Sequence, residues 1–297
     1  MHSLFNGKVI ENYPLHKITW FKVGGNADFF VKIRSIAELS QLLKEKPKDM
    51  PLFILGAGSN ILMRDGGFRG LVVKLAGDFS KWHIENDNTV IAGAGVLDKT
   101  LALTMGEAGY ANLEFMVGIP GTIGGALIMN AGAYGVEVKD VLQWVDLMSM
   151  NGEIIRLTPD DLKMAYRKGH IPKEHFVLKA AFKVQKEDPA VVQDKLNSML
   201  DKKEAAQPMT GRTGGSTFKN PLPHSAWELV DKVGGRGLKN GNAQISIKHC
   251  NFLLNLGDAT AKEIEDLGEE VRKRVKEQED INLEWEIIRV GTPLLTL

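Results

Sequence analysis

The stretch GIPGTIGGALIMNAGAYG, positions 118–135, constrains this chain more than any other. Six glycines and one proline in eighteen residues exclude a regular strand or a single long helix. Its inner run TIGGALIMN suits one helical turn or more, with Gly121 and Thr122 at the N-terminus, where free amides favour an anion. Glycines also let backbone approach a flat ring with no Cβ in the way. A close-packed glycine crossing between strands explains the same residues equally well, and glycine content alone does not separate the two.

Two further glycine-rich stretches bear on the question. GAGSN (56–60) directly follows the apolar run LFIL (52–55), so its amides can face an anion, with Ser59 and Asn60 adding donors. A short glycine turn of this kind is more often only a turn. Neither GxGxxG nor GxxxxGK[ST] occurs, which argues against a Rossmann or P-loop nucleotide site. GRTGGSTFKNP (211–221) sets Ser216 in a polar stretch beside Arg212, Lys219 and Asn220. Such a loop offers one hydroxyl for proton transfer next to cations that hold phosphate or carboxylate; a solvated linker is its ordinary alternative.

The chain of 297 residues is long enough for two or three modules, with 43 % apolar and 25 % charged residues. Basic and acidic residues balance at 37 each, so no field for nucleic acid or an anionic membrane is implied. Cys250 is the single cysteine, which excludes an internal disulfide and a multi-cysteine metal site. MHSLFNGKVIENYPL lacks the layout of a secretory signal, and no stretch reaches the roughly 18 apolar residues of a membrane span. The expectation is a cytoplasmic protein, monomeric by default, with no metal, nucleic-acid or membrane partner.

The periodicities predict an α+β chain. Ser35 caps SIAELSQLLKEK, with Ile36, Leu39, Leu42 and Leu43 at helical spacing and Glu38 completing a capping box. LFIL (52–55) and LVVKL (71–75) read as strands, and 82–94 as a hairpin turning at 86–88. A short helix over 98–108 precedes the glycine-rich segment, and strands at 141–150, 153–157 and 175–184 follow it. A compositional change at 186–189 places a domain boundary near 187. Beyond it come a helix (190–205), a loop (210–220), a helix (225–232), strands (243–247, 252–255), a long helix (259–280) and a strand, LEWEIIRV.

Other candidates stand close to ordinary surface or core residues. Tyr166–Arg167 is the kind of pair most often found at a surface. Glu284 and Glu286 alternate with apolar residues and so face one side of the expected strand, where solvent is the usual neighbour. His249 reads as a half-buried strand histidine, since the seven histidines show no metal-ligand spacing, and Cys250 as a small core residue.

Seven segments in this order, TWFKVGGNAD, ILGAGSNIL, LEFMVGIPGTIGGALIMNAGAYG, AYRKG, GGSTFKNP, ISIKHCNFLLN and LEWEIIRVG, resemble the UDP-N-acetylenolpyruvoylglucosamine reductases over about Thr19 to Gly291. The resemblance implies an α+β fold. An FAD-binding unit of the vanillyl-alcohol-oxidase-like type spans 1–187, in subdomains of about 1–76 and 77–187, and a substrate-binding domain spans 188–297. It implies bound FAD, NADPH as co-substrate, and reduction of the enolpyruvyl group of UDP-N-acetylglucosamine enolpyruvate to UDP-N-acetylmuramate in peptidoglycan precursor synthesis. The length is similar to that of the family's shorter class. An FAD-dependent alcohol or sugar oxidase of the same fold is the alternative. Such oxidases often tether flavin through His or Cys, and neither lies in 118–135.

Carried over residue by residue, the resemblance assigns catalysis to Arg167, Ser216 and Glu286. FAD contacts fall to Gly24, Gly25, Gly56, Ala57, Gly58, Ser59, Asn60, Pro120, Gly121, Thr122, Gly124, Gly125, Asn130, Gly132 and Ala133. Substrate contacts fall to Tyr166, Lys219, Asn220 and His249. Three positions depart from the family pattern: Gly169 stands where serine is usual, Lys22 where arginine is common, and Asn242 in place of a second glycine. Asn242 is expected to adopt the left-handed conformation that asparagine tolerates.

Overall fold

A computed structural model describes residues 9–208 and 211–294. Thr210 and most of the N-terminal stretch scanned for a signal lie outside the described residues. The chain divides into two compact units. The first holds residues 9–10, Phe30–Ala57 and Val72–Lys203; the second holds Glu11–Phe29, Gly58–Leu71 and Glu204 onward. This division differs from the expected boundary near 187, because two N-terminal segments group with the C-terminal part.

The first unit is built on a five-stranded antiparallel sheet in the order Ile154–Leu157, Leu142–Ser149, His175–Lys183, Thr89–Gly93, Trp82–Asn86. Its helices are α1 (Ile36–Glu45), α2 (Asp98–Glu107), α3 (Ile123–Met129), the single turns α4 (Val138–Val141) and α5 (Pro159–Leu162), and α6 (Pro189–Ala206). The core joins Leu101 and Met105 of α2, Leu127 of α3, Leu196 of α6 and the sheet residues Val145, Leu147 and Phe182. Ser35 caps α1 as expected, its hydroxyl accepting from the Glu38 amide at 3.2 Å. Leu39, Leu42 and Leu43 are buried, whereas Ile36 stays on the exposed rim.

The second unit pairs Arg212–Ser216, Phe252–Asn255, Ala243–Ile245 and Lys239–Asn240 in that order, all antiparallel. It also holds α7 (Ala226–Lys232) and α8 (Ala261–Glu279). α8 buries Ile264, Leu267, Val271 and Val275, an apolar stripe at spacings of three and four. Thr260 and Glu263 form a reciprocal capping box at its start. Asp65 accepts from the Ala261 and Lys262 amides, so a carboxylate also meets the positive end of α8.

Three expectations need correction here. The stretch 212–216 is a strand, since its backbone pairs with the buried strand Phe252–Asn255. LEWEIIRV is strand only over Ile288–Val290, which runs parallel to Ile61–Met63. Residues 284–286 instead lie antiparallel to 217–219 through a bridge between Phe218 and Trp285. The turn after Lys239–Asn240 puts Gly241 at φ +55°, while Asn242 has no left-handed backbone. Glycine takes the first central position of the hairpin, where positive φ has no steric penalty.

Arg64 grips Glu265 of α8 through two bonds, Nε at 2.9 Å and Nη2 at 2.7 Å, and Arg289 adds a third at 3.1 Å. The Arg64 hydrogen bond dominates the shift that holds the Glu265 carboxyl below its ordinary value of 4.5. The stabilisation is therefore complete above that ordinary value and lost as pH falls through the lower folded value. Glu265→Gln is expected to lower stability by about 1–2 kcal/mol at neutral pH. Urea midpoints of variant and parent should converge below the carboxylate range; a gap that persists there would mean packing, not charge, is lost.

Candidate functional site

In the first unit the 118–135 segment resolves into three pieces: a 3-10 turn ending at Gly118, helix α3, and a hairpin pairing Gly132–Ala133 with Val136–Glu137. Thr122 caps α3 by accepting from the Gly125 amide at 3.4 Å. Here glycine serves close approach. A Cβ on Gly56 would stand 2.7 Å from the Thr122 hydroxyl, and one on Gly124 3.1 Å from the Ala94 carbonyl. Gly56, Ala57, Pro120 and Gly121 are half-buried, and the Gly56 carbonyl accepts from Lys74 at 2.9 Å. Burial lowers the Lys74 ammonium, and Lys32 adds to the effect.

Asp98, the first residue of α2, was not among the expected site residues. It is fully buried, and neither carboxyl oxygen has a hydrogen-bond partner. Its amide donates to the Gly121 carbonyl at 3.2 Å, and Oδ2 lies so close to Gly121 that a Cβ there would stand 2.6 Å away. Burial pushes the carboxyl well above the usual carboxylate range. A helix N-terminus favours an anion by about 0.3–1 kcal/mol, less than the several kcal/mol lost by burying an unpaired charge. Burial without a partner therefore favours the neutral form of Asp98, and its two oxygens are closed off from solvent. Nothing in the sequence distinguishes it from an ordinary acidic residue at a helix start.

Asn130 ends α3 in the left-handed conformation at φ +42° and is completely buried. Its Nδ2 donates to Glu137 at 3.0 Å and to the Ala165 carbonyl at 2.9 Å; its Oδ1 accepts from the Lys139 amide at 3.0 Å. Its side chain is thus spent on the protein. Ala165 and Lys168 close a tight two-residue turn, with Tyr166 and Arg167 at its tip and Arg167 at φ +56°. The Arg167 guanidinium reaches the Gly132 carbonyl at 3.4 Å and lies 5.0 Å from the centre of the exposed Tyr166 ring. Gly169, just beyond, donates to the Ile128 carbonyl, and a Cβ there would stand 1.8 Å from the Leu127 carbonyl. The absent serine at this position thus leaves room for the end of α3.

In the second unit, the two glycines before Ser216 have separate reasons. Gly214 lies against Phe21, where a Cβ would stand 2.4 Å from the ring. Gly215, at φ +80°, shifts the register between Thr213 and Ser216, a bulge that re-aims the residue after it. Asn251 holds the next stretch: its side chain exchanges bonds of 2.9 and 2.8 Å with the Phe218 backbone, and its carbonyl accepts from Thr217. The Glu286 amide donates to the Thr217 carbonyl at 2.8 Å, which brings Ser216 and Glu286 to the same corner. Both are half-buried, whereas the Glu284 side chain is 72 % exposed and paired with Lys219 at 3.1 Å. The structure thus separates two glutamates that strand alternation alone makes equivalent.

The remaining candidates have mixed surroundings. Asn220 caps α7 by accepting from the Ala226 amide at 2.9 Å. His249 packs edge-on against Phe252 at 4.9 Å, and burial lowers its pKa. Gly24 and Gly25 press against the backbone of Met63 and Asp65. In GAGSN, Gly58 accepts from the Trp20 amide and Asn60 donates to the Glu286 carbonyl at 3.0 Å; Ser59 is half-buried beside them. Lys22 turns inward to its own segment, donating to the Lys17 carbonyl. Cys250 is a core residue whose thiol burial raises to about 11. Among the described residues no cluster of His, Cys, Asp and Glu could hold a metal, and no helix is long and apolar enough to cross a membrane.

Residues 27–158 match the FAD binding domain family, and 207–290 match the C-terminal domain of UDP-N-acetylenolpyruvoylglucosamine reductase. The reductase of Paramagnetospirillum magneticum is 48 % identical over 96 % of this chain and 92 % of its own. That of Gluconobacter oxydans is 45 % identical over 96 % and 93 %. The crystal structure of the Thermus caldophilus reductase superposes with a TM-score of 0.83 at 31 % identity, covering 95 % of this chain and 98 % of that one. The chain therefore belongs to the UDP-N-acetylenolpyruvoylglucosamine reductase family, an oxidoreductase of α+β fold with FAD as its cofactor.

Proposed function

We propose that this protein uses NADPH to reduce the enolpyruvyl group of UDP-N-acetylglucosamine enolpyruvate, giving UDP-N-acetylmuramate for peptidoglycan synthesis in the cytoplasm. The single observation that carries this reading is the bond from the Glu286 amide to Thr217, the residue after the bulged Ser216, which sets both candidates at one corner of the C-terminal unit. We assign FAD to residues 1–187 and the nucleotide sugar to 188–297, with family matches at 27–158 and 207–290 in support.

The residues of the first unit fit a dinucleotide. Gly56, Gly121 and Gly124 let the glycine-rich segments close on Thr122, Asp98 and Ala94, and Lys74 supplies a cation beside Gly56. Gly24, Gly25, 56–60, Pro120, Gly121, Thr122, Gly124, Gly125, Gly132 and Ala133 would hold it, with Asn130, whose side chain is bonded to Glu137, Ala165 and Lys139, supporting them from behind. When bound and reduced by NADPH, FAD supplies the hydride for the terminal alkene carbon of the substrate. Charge then accumulates on the neighbouring carbon and its carboxylate. Arg167 binds that carboxylate with a guanidinium that never loses its charge. Glu286, in its acid form, donates a hydrogen bond to the developing enolate. Ser216 delivers a proton to the carbon next to the carboxylate. Tyr166, Lys219, Asn220 and His249 are assigned to substrate contact, Lys219 exchanging its Glu284 partner for substrate.

The test is spectroscopic. Purified protein should be yellow, bleach on anaerobic addition of NADPH and regain its colour with UDP-N-acetylglucosamine enolpyruvate. Reoxidation by oxygen but not by that compound, with oxidation of a simple alcohol or sugar, would transfer the protein to the oxidases.

A further inference from the structure

Glu286 follows a tryptophan that α8 grips from several sides. We propose that Trp285 is a positioning residue for the reductase reaction, its indole ring locked on α8 so that the Glu286 carboxyl is held at the corner it shares with Ser216. The inference rests on the reading of Glu286 as the hydrogen-bond donor to the developing enolate, and it names the group through which the fold enforces that role.

The bonds around residues 284–286 set which way each side chain points. The Lys219 amide donates to the Glu284 carbonyl at 2.9 Å, and the Glu286 amide to the Thr217 carbonyl at 2.8 Å. Phe218 and Trp285 between them form a non-hydrogen-bonded antiparallel pair, the arrangement that brings side chains closest. Their rings meet edge to face at 5.2 Å. Because extended backbone alternates, fixing Trp285 on this face sends Glu284 and Glu286 to the other. α8 does the fixing. The indole Nε1 donates to Glu269 at 2.8 Å. The Arg289 guanidinium bonds the same Glu269 oxygen at 2.8 Å and lies 4.7 Å from the centre of the Trp285 ring. Arg272 holds the Leu283 carbonyl at 2.8 Å. The ring itself rests on Gly268, where a Cβ would stand 2.3 Å from it. Glycine is a poor helix former, and that contact explains its place inside the 19-residue α8. Asn251 secures the other half of the pair through its two bonds to Phe218. Slack at Trp285 would therefore pass to Glu286 through a single peptide bond.

A double-substitution cycle in the FAD-loaded enzyme separates positioning from packing. Stopped flow would follow reoxidation of NADPH-reduced FAD by saturating UDP-N-acetylglucosamine enolpyruvate, with FAD reduction by NADPH as the control. Glu286→Ala is expected to slow reoxidation about 10²–10³-fold. Trp285→Ala should slow it about ten- to hundredfold, the effect of a donor displaced by about an ångström, and leave FAD reduction within about twofold of the parent. Trp285→Phe keeps a ring on Gly268 and should restore reoxidation to within about fivefold of the parent. Added to Glu286→Ala, Trp285→Ala should cost less than about threefold more, because the group it positions is already gone. If Trp285→Ala does not fold, Gly268→Ala replaces it in the cycle: its methyl displaces the ring while helix propensity rises, and the same non-additivity is expected. A full further loss in the double variant, equal slowing of both half-reactions, or Trp285→Phe as slow as Trp285→Ala would overturn the proposal alone. Reoxidation unaffected by Glu286→Ala would overturn the reading of Glu286 itself, and the proposal with it.

Discussion

Ser216→Ala should leave reduction of bound FAD by NADPH within about twofold of the parent and slow reoxidation by UDP-N-acetylglucosamine enolpyruvate by about 10²–10⁴-fold, the range for loss of a positioned proton donor. The asymmetry follows from chemistry. Hydride transfer from NADPH needs no proton at the substrate carbon, whereas completing the enolpyruvyl reduction does. The substitution is also structurally mild. The bulge depends on Gly215 at φ +80° and the local pairing on Asn251, so neither requires the Ser216 hydroxyl. Stopped-flow measurement of the two half-reactions reads the effect directly. Equal slowing of both would move Ser216 out of the proton-donor role and into general support of the fold.

Much of the fold was legible in the sequence because periodicity and caps are local. The helical spacing of Leu39, Leu42 and Leu43 is the stripe that α1 buries, and Ser35 caps that helix with one serine hydroxyl. The hairpin across 82–93 needed only its turn residues. What failed was set by partners far along the chain. The polar run 212–216 is a strand because Phe252–Asn255 lies alongside it, which no propensity of Gly, Thr or Ser announces. LEWEIIRV looks uniform but serves two neighbours, 217–219 before Ile287 and Ile61–Met63 after it. The contact units depart from a boundary near 187 for the same reason: composition marks linkers, whereas 11–29 and 58–71 join the C-terminal residues through contact. Within the candidate site, glycine-rich motifs marked the right segments but not the division of labour inside them. Asn251 and Asn130 hold backbone, and Asp98 faces Gly121, each through pairings that sequence spacing does not encode.

Asn130 gives the largest expected stability effect. In Asn130→Ala the left-handed backbone at φ +42° would be strained by roughly 1–2 kcal/mol. The half-buried partners Lys139 N–H, Ala165 C=O and Glu137 would lose their bonds at about 1–3 kcal/mol for each left unsatisfied. These terms are not additive, since the space can admit water, so the expected loss is about 3–4 kcal/mol, or on the order of 10 °C in melting temperature. Asn130→Gly divides the two causes: glycine accepts the backbone conformation and should recover about 1 kcal/mol, leaving the side-chain bonds as the remainder. The loss should also reach the site. The Ala165 carbonyl is one tie between the end of α3 and the turn that carries Tyr166 and Arg167, and the Gly169 amide on Ile128 is another. With Arg167 as the carboxylate ligand, loosening that turn raises KM for UDP-N-acetylglucosamine enolpyruvate in both variants while the dissociation constant for FAD stays near the parent value. A matching loss of FAD affinity with unchanged KM would instead return Asn130 to the cofactor contacts that its sequence motif suggests.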